Sequence, residues 1–201
     1  PNYYGEQRFG HEGGNVDKAS RRFQGELRPK TRNQCSMYLS AARSWIFNHI
    51  LAQRVQDGTW NQRLPGDVFM LDGSNAWFAD DAAENLPDRL SSLDIHPSGV
   101  LWGKGELDTQ AQARELELTQ AARFPALCAG LERQGLKAER RALRIKVSEL
   151  QCEVLDTSTL RLAFALPPGA FATVLLEQLG EFVAAHPATA PRPLLNEPLT
   201  A

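Results

Sequence analysis

The first ten residues, Pro1-Asn2-Tyr3-Tyr4-Gly5-Glu6-Gln7-Arg8-Phe9-Gly10, constrain the chain more than any other stretch of it. Tyr3, Tyr4 and Phe9 bring three aromatic faces into a short run. Gly5 and Gly10 admit turns that a larger residue would resist. Asn2 carries an amide that can donate and accept at a base edge, and Arg8 carries a planar fork of donors suited to phosphate. Rings for stacking, an amide for an edge and a guanidinium for a phosphate are the groups that hold a flipped base in RNA. The same run also reads as an aromatic edge strand of an ordinary core, and the ten residues by themselves leave both readings open.

Composition narrows the class. The chain has 201 residues, 42% of them hydrophobic, enough for a sizeable core in one or two domains. With 22 basic and 24 acidic side chains the net charge is -2, which by itself points to no nucleic-acid partner. The distribution is uneven, however. Residues 1–32 hold a surplus of three positive charges and residues 132–146 a surplus of four, the latter from Arg133, Lys137, Arg140, Arg141, Arg144 and Lys146 against Glu132 and Glu139. Local surpluses of this kind can hold a phosphate backbone, or can simply be a solvated face of mixed charge. Cys35, Cys128 and Cys152 are odd in number and widely spaced, which fits neither a disulfide framework nor a zinc site and points to a reducing cytoplasm. His11, His49, His96 and His186 are isolated, so no metal site is expected. No apolar run approaches the ~18–20 residues of a membrane helix.

Periodicity and turn chemistry give the expected order of elements. Asn15 is placed as the N-cap of a helix carrying Val16, Ala19 and Phe23 on one face. The polar, proline-bearing stretch Arg28–Asn33 is read as a domain boundary. A long amphipathic helix is expected from Ser36 to about Gln56, with Ala42, Trp45, Ile46 and Ile50 at helical spacing. His49 shares that face and reads as a hydrogen-bonded, half-buried histidine. Short strands are expected at Val68–Leu71 and Ala76–Ala79 around the turn Asp72-Gly73-Ser74-Asn75, then a helix near Leu86–Leu93. Pro97, Gly99, Gly103 and Gly105 read as loop. Thr109 to about Arg133 reads as helix split at Pro125. Three strands follow, Arg141–Val147, Gln151–Leu155 and Leu160–Leu166, the last two joined at Asp156-Thr157-Ser158-Thr159. Phe171 to about Ala184 is expected to be helical, and residues 185–201 a proline-rich flexible tail.

The opening decapeptide resembles the P-N-Y-F-G-x-Q-R-F-G signature of the TruD family of tRNA pseudouridine synthases. Further stretches resemble the same family in the same order: Leu39-Ser40-Ala41-Ala42-Arg43-Ser44 with Phe47-Asn48; Gly66-Asp67-Val68-Phe69-Met70-Leu71; His96–Gly103; Glu139–Arg144; and the closing Leu166-Pro167-Pro168-Gly169-Ala170-Phe171-Ala172-Thr173. The resemblance runs from Pro1 to about Phe182. It implies an α/β (α+β) fold in which a pseudouridine synthase catalytic domain with an antiparallel sheet is interrupted by a mixed insertion. Residues 1–27 and 146–184 would be catalytic parts and residues 28–145 the insertion.

The resemblance also implies tRNA as the substrate, uridine at tRNA position 13 as the target, and no metal or organic cofactor. Asn2 matches the asparagine that contacts the target nucleotide, and Phe171 matches the aromatic that binds the base. Tyr4 stands where many members have Phe and keeps a stacking face. Gln7 and Arg8 match the signature as RNA-binding or loop-bracing residues. The family's catalytic Asp belongs to an upstream G-x-K-D segment that this sequence lacks, so no aspartate here is assigned as catalytic. The chain is therefore expected to be the C-terminal portion of such an enzyme, inactive alone, and either bound to the missing N-terminal segment or self-associated. A non-catalytic RNA-binding or interaction protein on the same scaffold is the alternative. Glu177 replaces an Arg of the family's F-A-T-x-x-x-R-E-L pattern.

Overall fold

Helix α2 (Arg32–Gln56) is the axis of the structure, and each of its faces meets a different layer. Thr31 caps its start, the hydroxyl accepting from the Gln34 N–H at 3.1 Å, so it begins four residues before the expected Ser36. The computed structural model describes residues 1–180. The tail at 185–201 lies outside the described residues, whereas the last helix, expected to run to about Ala184, ends at Glu177, with residues 178–180 non-helical.

One face of α2 closes a helical layer. Helix α1 (Gly14–Phe23) packs along it, α2 also meets a later pair, α4 (Ala111–Ala121) and α5 (Pro125–Arg133), and α1 meets α5. Ala19, Tyr38, Ala42, Ile46, Ile50, Leu127 and Leu131 form the buried seam. The break between α4 and α5 falls at Pro125, where the missing N–H and the ring forbid a continuous helix. Asn15 is not the N-cap of α1. Gly13, in the left-handed region at φ 73, takes that position, and Asn15 lies buried inside the helix with its N–H on Phe9 O.

The other face of α2 lies on a four-stranded antiparallel sheet of order β2-β1-β3-β4, built from β1 (Val68–Leu71), β2 (Trp77–Ala79), β3 (Ile95–Leu101) and β4 (Glu139–Ala142). A short helix, α3 (Leu86–Ser91), packs with Phe69 and Ile95 of the sheet in a small cluster of its own. Strand β3 is the main correction to the sequence reading, which had a loop through Pro97 and Gly99. It is an interior strand, buried over six of its seven residues. Gly99 is needed there because a Cβ would stand 3.0 Å from Leu143 Cδ2 and 3.1 Å from Phe47 Cε2, so its lack of side chain lets α2 close on the sheet. Strand β4 ends at Ala142 instead of running to Val147, and beyond it Leu143 is fully buried against Phe47 and Leu51.

Buried charge ties these layers together. Arg54 and Asp67 form a two-pronged ion pair at 2.8 and 3.0 Å, both nearly inaccessible. Glu117 accepts from Val100 N–H and Thr109 hydroxyl and pairs with Arg140 at 2.9 Å. The Arg28–Asn33 link does not separate two cores, since Ala19 from before it shares a cluster with Ala42 and Leu131 from after it.

After β4 the chain forms a separate hairpin, β5 (Ser148–Val154) with β6 (Leu160–Ala165), then a short helix α6 (Ala172–Glu177) capped by Phe171. Every residue of β5 is exposed. Among the described residues no helix is long and apolar enough to cross a membrane.

Candidate functional site

The two ends of the described chain meet. The opening segment lies beside the stretch that follows β4, with Asn2 N–H donating to Leu143 O at 2.8 Å. Asn48 of α2 then grips Tyr4 from below, accepting its N–H and donating to its carbonyl, each at 2.9 Å. The next residues tighten into a 3-10 turn at Glu6–Arg8, and Phe9 buries its ring edge-on against Trp45. From the other end, Phe171 enters at the start of α6 and packs its ring 5.8 Å from Tyr4. Gly5 passes so close beneath that a Cβ would lie 3.1 Å from Thr173 Oγ1 and 3.2 Å from the Phe171 ring, so a larger residue there would push these side chains aside.

Each expected site residue has a defined place. Asn2 is buried, its Nδ2 donating to Ala142 O at 2.8 Å and its Oδ1 accepting from Arg141 Nη2 at 2.7 Å. Tyr4 is half-buried between Phe47 and Phe171, with Arg141 Cζ 4.0 Å from the ring centroid. Arg8 lies near both Tyr4 and Phe171, at 5.3 and 5.6 Å from their ring centroids, and donates to Ser40 Oγ. That geometry makes Arg8 a brace between the segments. Gln7 is exposed on the turn. Asn2, Tyr4, Arg8 and Phe171 are therefore brought together, while Gln7 points away into solvent.

Asn2 and Tyr4 line a cleft of about 640 Å³. Its other walls are the Asp72–Asn75 turn and Trp77 of the β1–β2 hairpin, the stretch from Glu139 to Lys146, and Pro167-Pro168. The walls carry Arg141, Arg144 and Lys146 with Asp72 and Glu139. Arg141 donates further to Gly169 O at 3.0 Å, and burial pulls its guanidinium below its ordinary pKa while Tyr4 pulls it back up. Arg144 is buried, donating to the carbonyls of Leu90 and Ile95 and to His96 Nδ1. Because a guanidinium only donates, Nδ1 of His96 must accept, and Nε2–H then donates to Asp72 at 2.8 Å.

Several of these partners were not legible as site residues. His96 looked isolated, yet it is held between Asp72 and Arg144 from positions 24 and 48 residues away. Arg140 and Arg144 counted towards a positive surplus, but both are buried and consumed by protein groups. His49 agrees with its sequence reading, hydrogen-bonded to Trp45 O and set between Trp45 and Phe124. Glu177 is exposed and forms no ion pair among the described residues. No group of three His, Cys, Asp or Glu among the described residues is placed to hold a metal ion.

The family model for tRNA pseudouridine synthase D (TruD) matches residues 14–179, and the chain belongs to the TruD family. It is 49% identical over 181 residues to tRNA pseudouridine synthase D of Hydrogenovibrio crunogenus, covering 90% of this chain and 52% of the relative. The corresponding protein of Methylococcus capsulatus is 46% identical over 183 residues, with the same coverage. That of Pseudomonas aeruginosa is 42% identical over 183 residues, covering 91% of this chain and 52% of the relative. The chain thus spans about half the length of the curated relatives it matches. The fold is similar to the Methanosarcina mazei TruD crystal structure, with a TM-score of 0.65 at 16% identity, over 89% of this chain and 60% of that one.

Proposed function

We propose that this chain carries the nucleotide-holding part of a tRNA pseudouridine synthase, and that the target is the uridine at tRNA position 13. The observation that carries the reading is the meeting of Asn2 and Tyr4 with Phe171 beside a cleft whose wall includes the exposed Lys146, from segments more than a hundred residues apart. Isomerisation breaks the bond from ribose C1′ to uracil N1, turns the detached base, and joins C1′ to C5, with the C5 proton lost and N1 reprotonated. A base that leaves the stack and the sugar has to be held throughout. The ring faces of Tyr4 and Phe171 would hold it by stacking, worth ~1–3 kcal/mol per base. The Asn2 amide would take a polar edge of the nucleotide, and Lys146 and the cleft rim would meet phosphate.

The carboxylate that acts at the sugar belongs, on this reading, to a G-x-K-D segment absent from the sequence. Residues 1–27 and 146–184 would be catalytic-domain parts around an insertion at 28–145. The apolar face of the β5–β6 hairpin would dock on the portion of the enzyme that the relatives have and this chain lacks, which is consistent with its spanning about half their length. Three free cysteines, one of them exposed, fit a reducing cytoplasm.

The test is an assay of pseudouridine formation on unmodified tRNA, run with the chain alone and with the chain joined to the missing half of a relative. Product is expected only from the joined protein, because loss of a catalytic group ordinarily costs several orders of magnitude in rate. Turnover by the chain alone at a rate near that of a full-length relative would overturn the assignment. Binding of tRNA with no turnover in either form would favour a non-catalytic RNA-binding protein.

A further inference from the structure

We propose that Arg141 is the positioning residue of this cleft: one guanidinium fixes the amide of Asn2, backs the ring of Tyr4 and ties down the loop that delivers Phe171. The proposal rests on the reading that the cleft holds a nucleotide. Arg141 comes from β4, in the middle unit of the chain, and its partners come from both ends. Nη2 donates to Asn2 Oδ1 at 2.7 Å and to Gly169 O at 3.0 Å, while Cζ stands 4.0 Å from the Tyr4 ring centroid.

The amide of Asn2 can adopt only one orientation in these surroundings. Arg141 has donors and no acceptor, so it must face Oδ1. Ala142 O can only accept, so it must face Nδ2, which it does at 2.8 Å. A flipped amide would set N–H against N–H and oxygen against oxygen, losing both bonds. Locked in this way, Asn2 keeps one N–H and one lone pair whose order towards the cleft does not change. A substrate edge then meets a donor and an acceptor that need no reorganisation, which is the condition for efficient recognition of a transient, detached base.

The second tether acts on the other half of the clamp. Gly169 has a φ of 84, and Ala170 N–H closes a turn on Pro167 O at 3.1 Å. The turn offers the Gly169 carbonyl to Arg141, and Phe171 follows two residues later against Tyr4. Arg141 therefore sets the spacing between the rings as well as the amide. Both hydrogens of Nη2 are spent on protein groups, which gives Arg141 this role whatever its Nη1 meets in the cleft. Lysine cannot replace it, since a point ammonium cannot bond Asn2 and Gly169 in one plane while stacking on Tyr4.

The experiment is a double-mutant cycle on the full chain, with affinity for unmodified tRNA and the side-chain amide signals of Asn2 as the two readouts. Arg141→Met and Asn2→Ala are each expected to weaken binding about tenfold, and the combination little more than either, because the first acts through the second. Arg141→Lys, which keeps the charge and the stem, should weaken binding like Arg141→Met and shift the Asn2 amide signals. Independent losses that multiply, or full affinity in Arg141→Lys, would overturn the positioning role. If the parent chain shows no affinity for tRNA, the reading of the cleft falls. The amide signals then decide the rest: unchanged Asn2 signals in Arg141→Lys sink the proposal, and shifted ones sustain the positioning of the amide.

Discussion

The β5–β6 hairpin should make this chain associate with itself when it is studied alone. Its register pairs Cys152 with Leu162 and Val154 with Leu160, so one face of the ribbon is apolar, while Glu153 and Arg161 form an ion pair on the other. Leu150, Val154 and Leu160 are 60%, 74% and 54% exposed. Fully burying an aliphatic side chain is worth ~1.5–3 kcal/mol, so those exposed fractions leave about 1–2 kcal/mol each and roughly 9 kcal/mol across two copies stacked face to face. Setting that against the low end of the association cost, about 4 kcal/mol, leaves a net of about 5 kcal/mol, a dissociation constant on the order of 10⁻⁴ M. Sedimentation velocity over a concentration series spanning that value should show a monomer giving way to a dimer. Val154→Thr with Leu160→Thr keeps strand-compatible side chains at both positions, and should abolish the dimer while moving stability by no more than ~0.5 kcal/mol. On the proposed reading, adding the half that the relatives have and this chain lacks should compete the dimer away. A parent chain that stays monomeric well above the expected constant would refute the reasoning. So would a double variant destabilised by more than about 2 kcal/mol, because the face would then already be covered within the chain.

Three other outcomes are expected. Phe171→Ala should weaken tRNA binding by ~1–3 kcal/mol with little change in melting temperature, since the ring is half-exposed, whereas Asn2→Ala should also cost about 1–2 kcal/mol of stability by leaving Arg141 and Ala142 O short of a partner; chemical denaturation beside a binding titration separates the two. Asp67→Asn should destabilise the chain by about 3–5 kcal/mol in urea unfolding, because Arg54 would remain a buried charge without its counter-ion. The Cys128 thiol is pushed up to about 12 by burial, from an ordinary 9.0, so its contribution to stability is complete below the unfolded value and lost as pH rises through the folded one; near neutral pH a thiol reagent should label exposed Cys152 and spare Cys128 until the chain unfolds.

The parts of this fold that local pattern can specify were legible. Strand β1, the last hairpin and the break at Pro125 follow from alternation, turn residues and a missing donor, all of which act within a few residues. Strand β3 was not, because Pro97 and Gly99 locally argue for a loop, and the reason for Gly99 lies in Phe47 and Leu143 at long range. The charge surplus at 132–146 misled for a related reason. A sum over a stretch cannot tell Lys146 at the surface from Arg140 and Arg144, which are turned inward onto Glu117, Ser98, His96 and backbone carbonyls.

The site divides in the same way. Asn2, Tyr4 and Phe171 were singled out through their motifs and lie together, but what orients them was not legible: Asn48 grips Tyr4 across 44 residues, and Arg141 reaches Asn2 across 139. That long-range support also bears on how the protein works. The side chains that would touch the nucleotide come from the two ends of the described chain, and those that hold them come from α2 and β4 in between. Ala19 shares a core with Ala42, and Tyr4 shares one with Phe47 and Leu143, so the opening segment cannot shift without disturbing the packing of the middle unit. Packed cores resist small displacements. On the proposed reading, the stretch at 28–145 is more than an appendage: its helix α2 and strand β4 are the frame on which Asn2, Tyr4 and Phe171 are aligned, and changes deep in that frame, at Phe47 or Leu143, should be felt at the cleft as a misplaced Tyr4.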